Sequence, residues 1–125
     1  MDRVPWDPGT SAQILADADV GIMPLHDTEF TRGKCGYKLL QYGAAGLPVV
    51  GSPVGANAGV LAALGGAAPA SGEWVDAVTG VLDAGASERR DLGDTARRGV
   101  ETSYSFGAWE SRWRYAVTGE SAVGE

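Results

Sequence analysis

Hydrophobic residues in the first half of the chain form two short continuous runs separated by a helical repeat. The runs at residues 20–23 and 47–50 lie next to proline or glycine, which predicts short strands buried on both faces. Between them, residues 36–45 place Leu39 and Leu40 near one helical face, and Gly46 is a residue type common just after a helix. Strand, helix and strand in this order predict a parallel α/β unit.

The second half of the chain is predicted to be mostly helical. Residues 57–64 are small and apolar, residues 67–70 suit a short edge strand, and Ser71, Ser87 and Ser105 are expected to cap three further helices. Trp74, Trp109 and Trp113 are interpreted as packing residues rather than sugar-stacking platforms. The predicted fold is a partial Rossmann-like three-layer unit with three or four parallel strands and helices on both sides. It spans residues 1–118, followed by a flexible tail at 119–125.

Composition and charge argue against several classes of function for this protein. A net charge of −6 argues against general binding to nucleic acid or membrane surfaces, because both need clustered cations. The single cysteine, Cys35, excludes an internal disulfide and fits a reducing compartment. No apolar run approaches the roughly 18 residues that a transmembrane helix requires. These features together predict a cytoplasmic location.

The candidates for acid–base or nucleophilic chemistry are few. His26 is the single histidine and is interpreted as a loop residue, while Cys35 at a helix start is interpreted as a small packing residue. The carboxylate pairs Asp17/Asp19 and Asp27/Glu29 are interpreted as capping and loop charges. No Cys and His spacing typical of a metal site is present, so no metal is expected.

A basic, glycine-rich stretch precedes the helix at residues 36–45. Arg32, Lys34 and Lys38 cluster there, around the N–H groups that the first turn of a helix leaves unpaired. Neither of the two standard nucleotide fingerprints is present. The residues alone therefore leave two interpretations open, an anion or diphosphate site and ordinary surface charge.

Four ordered segments carry a resemblance to a known family. They read ADADVGIMPL, TRGKCGYKLLQYGAAGLPVVGSPVGAN, GEWVDAVTGVLD and RRDLGDTARRGVETSYSFGAW. In order and spacing they resemble the C-terminal half of a group 1, family 4-like GT-B glycosyltransferase. That resemblance implies a retaining enzyme that uses a nucleotide-diphosphate sugar as its donor, without a metal or other cofactor.

The resemblance also implies roles for individual residues. Two glutamates separated by seven residues are typical of the family, and here they fall at Gly33 and Gln41. Gln41 is expected to bind the ribose hydroxyls, whereas Gly33 lacks a side chain for the donor sugar. The donor diphosphate is assigned to Cys35, Gly36, Tyr37 and Lys38, and the loop beside the donor sugar to Arg32, Gly33 and Lys34.

The family's acceptor domain and its leaving-group Arg and Lys are expected upstream of this chain. The resemblance therefore implies a donor-binding portion that does not transfer sugar efficiently by itself, and whose partner is the acceptor domain or another chain. The missing strands would leave an exposed sheet edge, which predicts a homo-oligomer. The rival hypothesis is a non-catalytic binding or assembly module, favoured by Gly33 and Gln41 in place of acids. A flavodoxin-like regulatory domain is a weaker third hypothesis.

Overall fold

The computed structural model describes residues 3–119. Two short strands and seven helices follow one another in this part of the chain. Their bounds, in chain order, are α1 (Ser11–Ala16), β1 (Gly21–Met23), α2 (Glu29–Arg32), α3 (Tyr37–Ala44), β2 (Val49–Gly51), α4 (Asn57–Leu64), α5 (Trp74–Asp83), α6 (Ala86–Ser103) and α7 (Phe106–Thr118). The predicted α/β class and helix-rich C-terminal half are confirmed. Of the predicted tail, all but Gly119 lies outside the described residues.

The sheet is parallel and shorter than predicted. β1 and β2 pair with Ile22 opposite Val50, and a third segment contributes a single parallel bridge between Val50 and Ala67. Ala67 donates its N–H to the Val49 carbonyl and accepts from the Gly51 N–H, both at 3.0 Å. The next donor on that side would be residue 69, which is a proline and has no N–H. The expected edge strand therefore stops after one bridge.

The core lies between the sheet and three helices. Strand residues Met23 and Val49 pack with Leu39, Leu61 and neighbouring apolar side chains, all nearly inaccessible to solvent. The strands follow one another across the sheet in one direction, and right-handed crossovers then place α3 and α4 on the same face. Accordingly α3 and α4 contact each other, and α6 packs against both.

Small residues let α6 approach the rest of the core closely. Gly93, Ala96 and Gly99 are its buried positions and recur every third residue. A Cβ atom on Gly99 would lie 2.3 Å from the Ala63 carbonyl oxygen. The charged residues of α6 lie around this stripe and are mostly exposed. The contact between α6 and the core is therefore made by backbone as much as by side chains.

The aromatic residues of α7 are not core residues in the described part of the chain. Ser105 caps this helix as predicted, accepting a hydrogen bond from the Ala108 N–H at 3.1 Å. Trp109 and Trp113 nevertheless remain 42% and 66% exposed. The helix contacts α6 but leaves an apolar surface open. Among the helices of residues 3–119, none combines the length and the apolar composition needed to cross a membrane.

Candidate functional site

A cleft lies at the carboxyl end of β1, beside the N-terminus of α3. This first cleft has a volume of about 460 Å³ and is lined by residues 22–25 and 33–38. Ligands of open parallel sheets bind outside the carboxyl ends of the strands. The predicted diphosphate residues Cys35, Gly36, Tyr37 and Lys38 therefore meet Gly33 and Lys34 in one cleft.

The loop that leads into this cleft is held by local hydrogen bonds. Thr28 and Thr31 form a reciprocal capping box at the start of α2, with N–H···Oγ1 distances of 3.0 and 3.2 Å. The Thr31 hydroxyl also donates to the His26 carbonyl. The sequence interpretation treated this region as a loop without a helix, because a four-residue helix leaves no periodic pattern. The threonines three residues apart are the signal that could have revealed it.

Arg32 closes the same loop through an ion pair. Its guanidinium donates to both Asp27 carboxylate oxygens, at 2.6 and 3.1 Å. The hydrogen bond from Arg32 holds the pKa of the Asp27 carboxyl below its ordinary value. The Asp27 carboxylate is charged at neutral pH, and acid that protonates it removes the ion pair. Arg32 does not line the first cleft, so its contact with Asp27 shapes the loop.

Gly36 gives the start of α3 its unusual backbone. It precedes the helix with φ of 72°, in the left-handed region that side chains disfavour. Within residues 3–119, the N–H groups of residues 35–38 have no acceptor, whereas Leu39 already donates to the Gly36 carbonyl at 3.0 Å. Four adjacent N–H groups are thus available to an anionic ligand at the positive end of the helix dipole.

The two lysines of the chain flank these N–H groups. Lys34 and Lys38 are exposed and line the first cleft. The Lys34 ammonium lies 5.3 Å from the centre of the Phe30 ring, which limits its freedom without neutralising its charge. Tyr37 is 62% exposed beside them, and the Cys35 thiol is also exposed. The exposure of Cys35 thus differs from the small packing residue that the sequence suggested.

Gln41 lies beyond the cleft on the same helix. It is exposed and follows Tyr37 by four residues and Lys38 by three, which places the three side chains on one helical face. It does not line the first cleft. A ligand held at the N–H groups would have to extend along α3 to reach it.

Two buried polar residues tie the loops of this site together, and sequence reasoning missed both. Ser52 accepts the Leu25 N–H at 2.9 Å, linking the segments that follow β1 and β2. Asn57, fully buried, donates to the Ser52 carbonyl at 3.2 Å, and its Oδ1 has no hydrogen-bond partner within residues 3–119. A Cβ on Gly36 would lie 3.2 Å from this oxygen. An asparagine at the start of a small, apolar helix was the available signal.

A second cleft adjoins the first and shares Pro24 and Leu25 with it. It measures about 670 Å³ and collects the segments after β1, after β2 and after Ala67, together with Trp74. His26 and Asp27 lie here rather than in the first cleft. Trp74 is half-buried in its wall, a position that helical spacing did not reveal.

The other acidic candidates do not form an acid–base pair. Asp17 accepts from the Gln13 side-chain amide at 2.9 Å, and Asp19 lies 3.8 Å from the guanidinium of Arg89. In the described part of the chain, no group of three or more His, Cys, Asp and Glu side chains is placed to hold a metal ion. The polar groups gathered at the sheet edge are therefore N–H groups, lysines and the loop residues of the second cleft.

Fold and site together define an α/β protein with a partial Rossmann-like unit and, at the carboxyl edge of its sheet, a cleft lined by two lysines and by N–H groups without acceptors. The family model described as glycosyl transferases group 1 matches residues 3–84 of the 125, and the chain belongs to that family. The match contains both clefts. No curated protein and no solved structure matches the chain.

Proposed function

We propose that this chain is the donor-binding portion of a retaining glycosyltransferase that uses a nucleotide-diphosphate sugar. The carrying observation is the row of four N–H groups at residues 35–38 without acceptors in the described part of the chain. A diphosphate supplies acceptor oxygens and negative charge at a helix N-terminus, where both are stabilised. Membership of the glycosyltransferase family supports the donor class.

The proposed division of labour follows the cleft. The residues proposed to bind the diphosphate are Cys35, Gly36, Tyr37 and Lys38. Because Gly33 has no side chain to contact the donor sugar, Lys34 makes that contact instead. Arg32 keeps this loop in place through Asp27. Gln41 binds the ribose, reached by a donor that extends along α3. We propose no metal or other cofactor, since lysines and N–H groups supply the positive charge.

Titration with UDP, GDP and ADP tests the donor site. At least one of the three is expected to bind, and Lys38→Ala is expected to weaken that binding about tenfold, the loss of one charge-assisted hydrogen bond. Isothermal calorimetry measures the affinity. Higher salt should weaken binding further, because the lysines are exposed.

Arg90→Ala provides the matched control for that titration. Arg90 is also an exposed cation, but it lies on α6 outside both clefts. Its removal should leave nucleotide affinity unchanged. A folded wild-type sample that binds none of the three nucleotides would overturn the donor site. Equal losses of affinity in both variants would show that Lys38 acts only through the overall charge of the protein, and not through a specific contact with the nucleotide.

A non-catalytic binding module is the second candidate function. Gly33 and Gln41, where the family has glutamates, favour it. We propose that sugar transfer requires an acceptor domain that this chain does not itself contain. The gene sequence upstream of Met1 distinguishes the two functions: an open frame encoding such a domain, with a leaving-group Arg and Lys, supports the enzyme, and its absence supports the module. For either function we propose a cytoplasmic setting, because the exposed Cys35 thiol suits a reducing compartment.

We also propose that two copies of the chain associate through the free edge of β1. Within residues 3–119 this strand is paired on one edge only, and its central residue Ile22, which also lines the first cleft, is 45% exposed. Unpaired edges favour strand addition. Sedimentation at micromolar concentration is expected to give a dimer mass, and Ile22→Lys to shift it to the monomer. A monomeric wild type with a cooperative melting transition would contradict the association.

A further inference from the structure

Helix α7 exposes apolar side chains along its whole length. Every residue from 106 to 118 is exposed to solvent, including Phe106 at 98%, Trp113 at 66% and Val117 at 69%. The two clefts and the roles proposed for residues 32–41 leave this helix unused. Contiguous apolar surface of this kind marks a site of interaction with another molecule.

The apolar side chains of α7 lie on one narrow stripe. They are Phe106, Trp109, Trp113 and Val117, spaced by three, four and four residues. At about 3.6 residues per turn, they fall within about 80° of one another around the helix. A stripe this narrow is typical of the seam between two paired helices, whereas a helix that covers a globular core presents a wider apolar face.

The first turn of α7 is fixed in place, which sets the direction of the stripe. The hydroxyl of Ser105, the capping residue, also donates to the Glu101 carbonyl at 2.6 Å. The Trp109 indole donates to the Ser103 carbonyl at 2.7 Å, and the Arg112 guanidinium lies 4.9 Å from the centre of the same indole ring. The stripe is therefore oriented before a partner arrives, which lowers the entropy cost of binding.

The charges beside the stripe indicate which partner fits it. Glu110 and Arg114 lie on the same flank, one helical turn apart, and form an ion pair at 3.4 Å. Both line a groove of about 570 Å³ along the stripe. An antiparallel copy of α7 would place its own Arg114 beside Glu110 and its own Glu110 beside Arg114. A parallel copy would bring Arg112, on the opposite flank, next to Arg114 of the other chain, where like charges repel.

This pattern is complementary to itself, which is what a two-fold symmetric contact between identical chains requires. We propose that α7 docks on α7 of a second copy as an antiparallel helix pair. Trp109 then packs against Trp113 of the second copy, and Phe106 packs against its Val117. Two ion pairs between Glu110 and Arg114 of different chains flank the apolar seam. The contact does not depend on the nucleotide site.

The α7 contact is expected to be weaker than the association proposed for β1. Four apolar side chains from each helix bury less than the roughly 1,000 Å² of a stable interface. We expect a dissociation constant on the order of 100 µM, so that the contact is mostly unoccupied at micromolar concentration. At higher concentration, the two interfaces together would join β1-paired dimers of the wild type into larger assemblies.

Sedimentation of the Ile22→Lys variant isolates the α7 contact, because this substitution removes the proposed β1 association. By mass action, about two-thirds of the chains are expected in dimers at ~300 µM and few at ~10 µM. Adding Trp113→Gln should leave the protein monomeric at both concentrations. Trp6→Gln is its control, because Trp6 is a tryptophan that is 81% exposed and lies outside α7. It should leave the dimer fraction unchanged.

Charge reversal tests the antiparallel arrangement itself. In the same background, Glu110→Arg and Arg114→Glu should each weaken the dimer about tenfold, because each replaces two ion pairs with two repulsions. An equimolar mixture of the two variants should recover the dimer, since every arginine then faces a glutamate of the other chain. Mixing leaves the intrahelical contacts of each chain unchanged. Recovery would therefore report a contact between chains.

Glu101→Arg is the matched control for charge reversal. Glu101 forms an exposed ion pair on α6 with Arg97, four residues earlier, at 3.3 Å. Its reversal changes the net charge and removes an intrahelical pair as Glu110→Arg does, but it should leave the dimer fraction unchanged. Equal dimer fractions in the two single variants and in their mixture would overturn the antiparallel arrangement.

The β1 and α7 associations can fail independently. A folded Ile22→Lys sample that stays monomeric at ~300 µM would overturn the α7 contact, and a different partner would then cover the stripe. If the wild type is monomeric at micromolar concentration but dimeric at ~300 µM, and Trp113→Gln abolishes that dimer, the β1 association fails while the α7 contact stands. If Ile22→Lys does not fold, the same α7 variants are compared in the wild-type background, where the α7 contact should raise the mass above that of a dimer.

Discussion

Replacing Gly93 with alanine is expected to abolish stable folding. A Cβ atom at this position would lie 1.9 Å from the Gly46 carbonyl oxygen and 2.7 Å from its carbonyl carbon. Both are backbone atoms of the turn between α3 and β2, so no side chain can rotate away. The clash can be relieved only by moving α6 away from the core. We expect a loss of about 3 kcal/mol or more, at or beyond the upper range of overpacking.

Gly59→Ala is the matched control for that substitution. Gly59 also lies inside a helix, α4, but a Cβ there would meet nothing within 4 Å. Alanine should therefore stabilise the protein, by about 0.5–1 kcal/mol of helix propensity. Urea unfolding followed by circular dichroism compares the two variants with the wild type. Equal midpoints for Gly93→Ala and the wild type would show that α6 is not packed on the Gly46 turn.

The strand–helix–strand unit could be predicted because its signals are local. The apolar runs preceding Pro24 and Gly51 became β1 and β2, and the helix between them ends where Gly46 begins the turn. The helix at residues 57–64 was also predicted with its observed bounds. In each case, a burial pattern and a glycine or proline carried the information. These elements bury the residues that form the core.

The contact surface of α6 was predicted only in part. The spacing of four between Leu92, Ala96 and Val100 predicts that these apolar residues form the packed face, yet the buried positions are Gly93, Ala96 and Gly99. The reason is that close backbone approach, rather than side-chain burial, brings this helix to the core. A hydrophobic pattern cannot identify a glycine that is required because any side chain at its position would clash.

The candidate site also has one part that the sequence could predict and one part that it could not. Residues 33–38 are contiguous, so the sequence could place them together at a helix N-terminus, and the first cleft contains all of them. The second cleft combines segments around residues 26, 52, 70 and 74, which meet only after the sheet forms. No local pattern connects Trp74 with Ser52. Long-range proximity is the part of the site that one sequence could not predict.

Gly36→Ala is expected to weaken nucleotide binding strongly and to lower the free energy of unfolding moderately. The left-handed φ of 72° costs an alanine about 1–2 kcal/mol. Its Cβ would also lie 3.0 Å from a Val60 methyl group and 3.2 Å from Asn57 Oδ1, which are both buried. The backbone is expected to relieve this crowding by rotating at residues 35–37. That rotation would turn the unpaired N–H groups away from the first cleft.

Gly46→Ala is the control that separates the effect of backbone strain on stability from the effect of disturbing the N–H groups at residues 35–38. Gly46 has a similar φ of 76°, but a Cβ there meets nothing within 4 Å and lies outside the first cleft. Both variants should therefore unfold at slightly lower urea concentrations than the wild type. Only Gly36→Ala should weaken the bound nucleoside diphosphate, by about a hundredfold for two lost N–H contacts to a charged group. If both variants kept wild-type affinity, the N–H groups of residues 35–38 would not be the diphosphate site. If both lost it equally, the effect would come from stability, because the two glycines share strain and differ in their distance from the cleft.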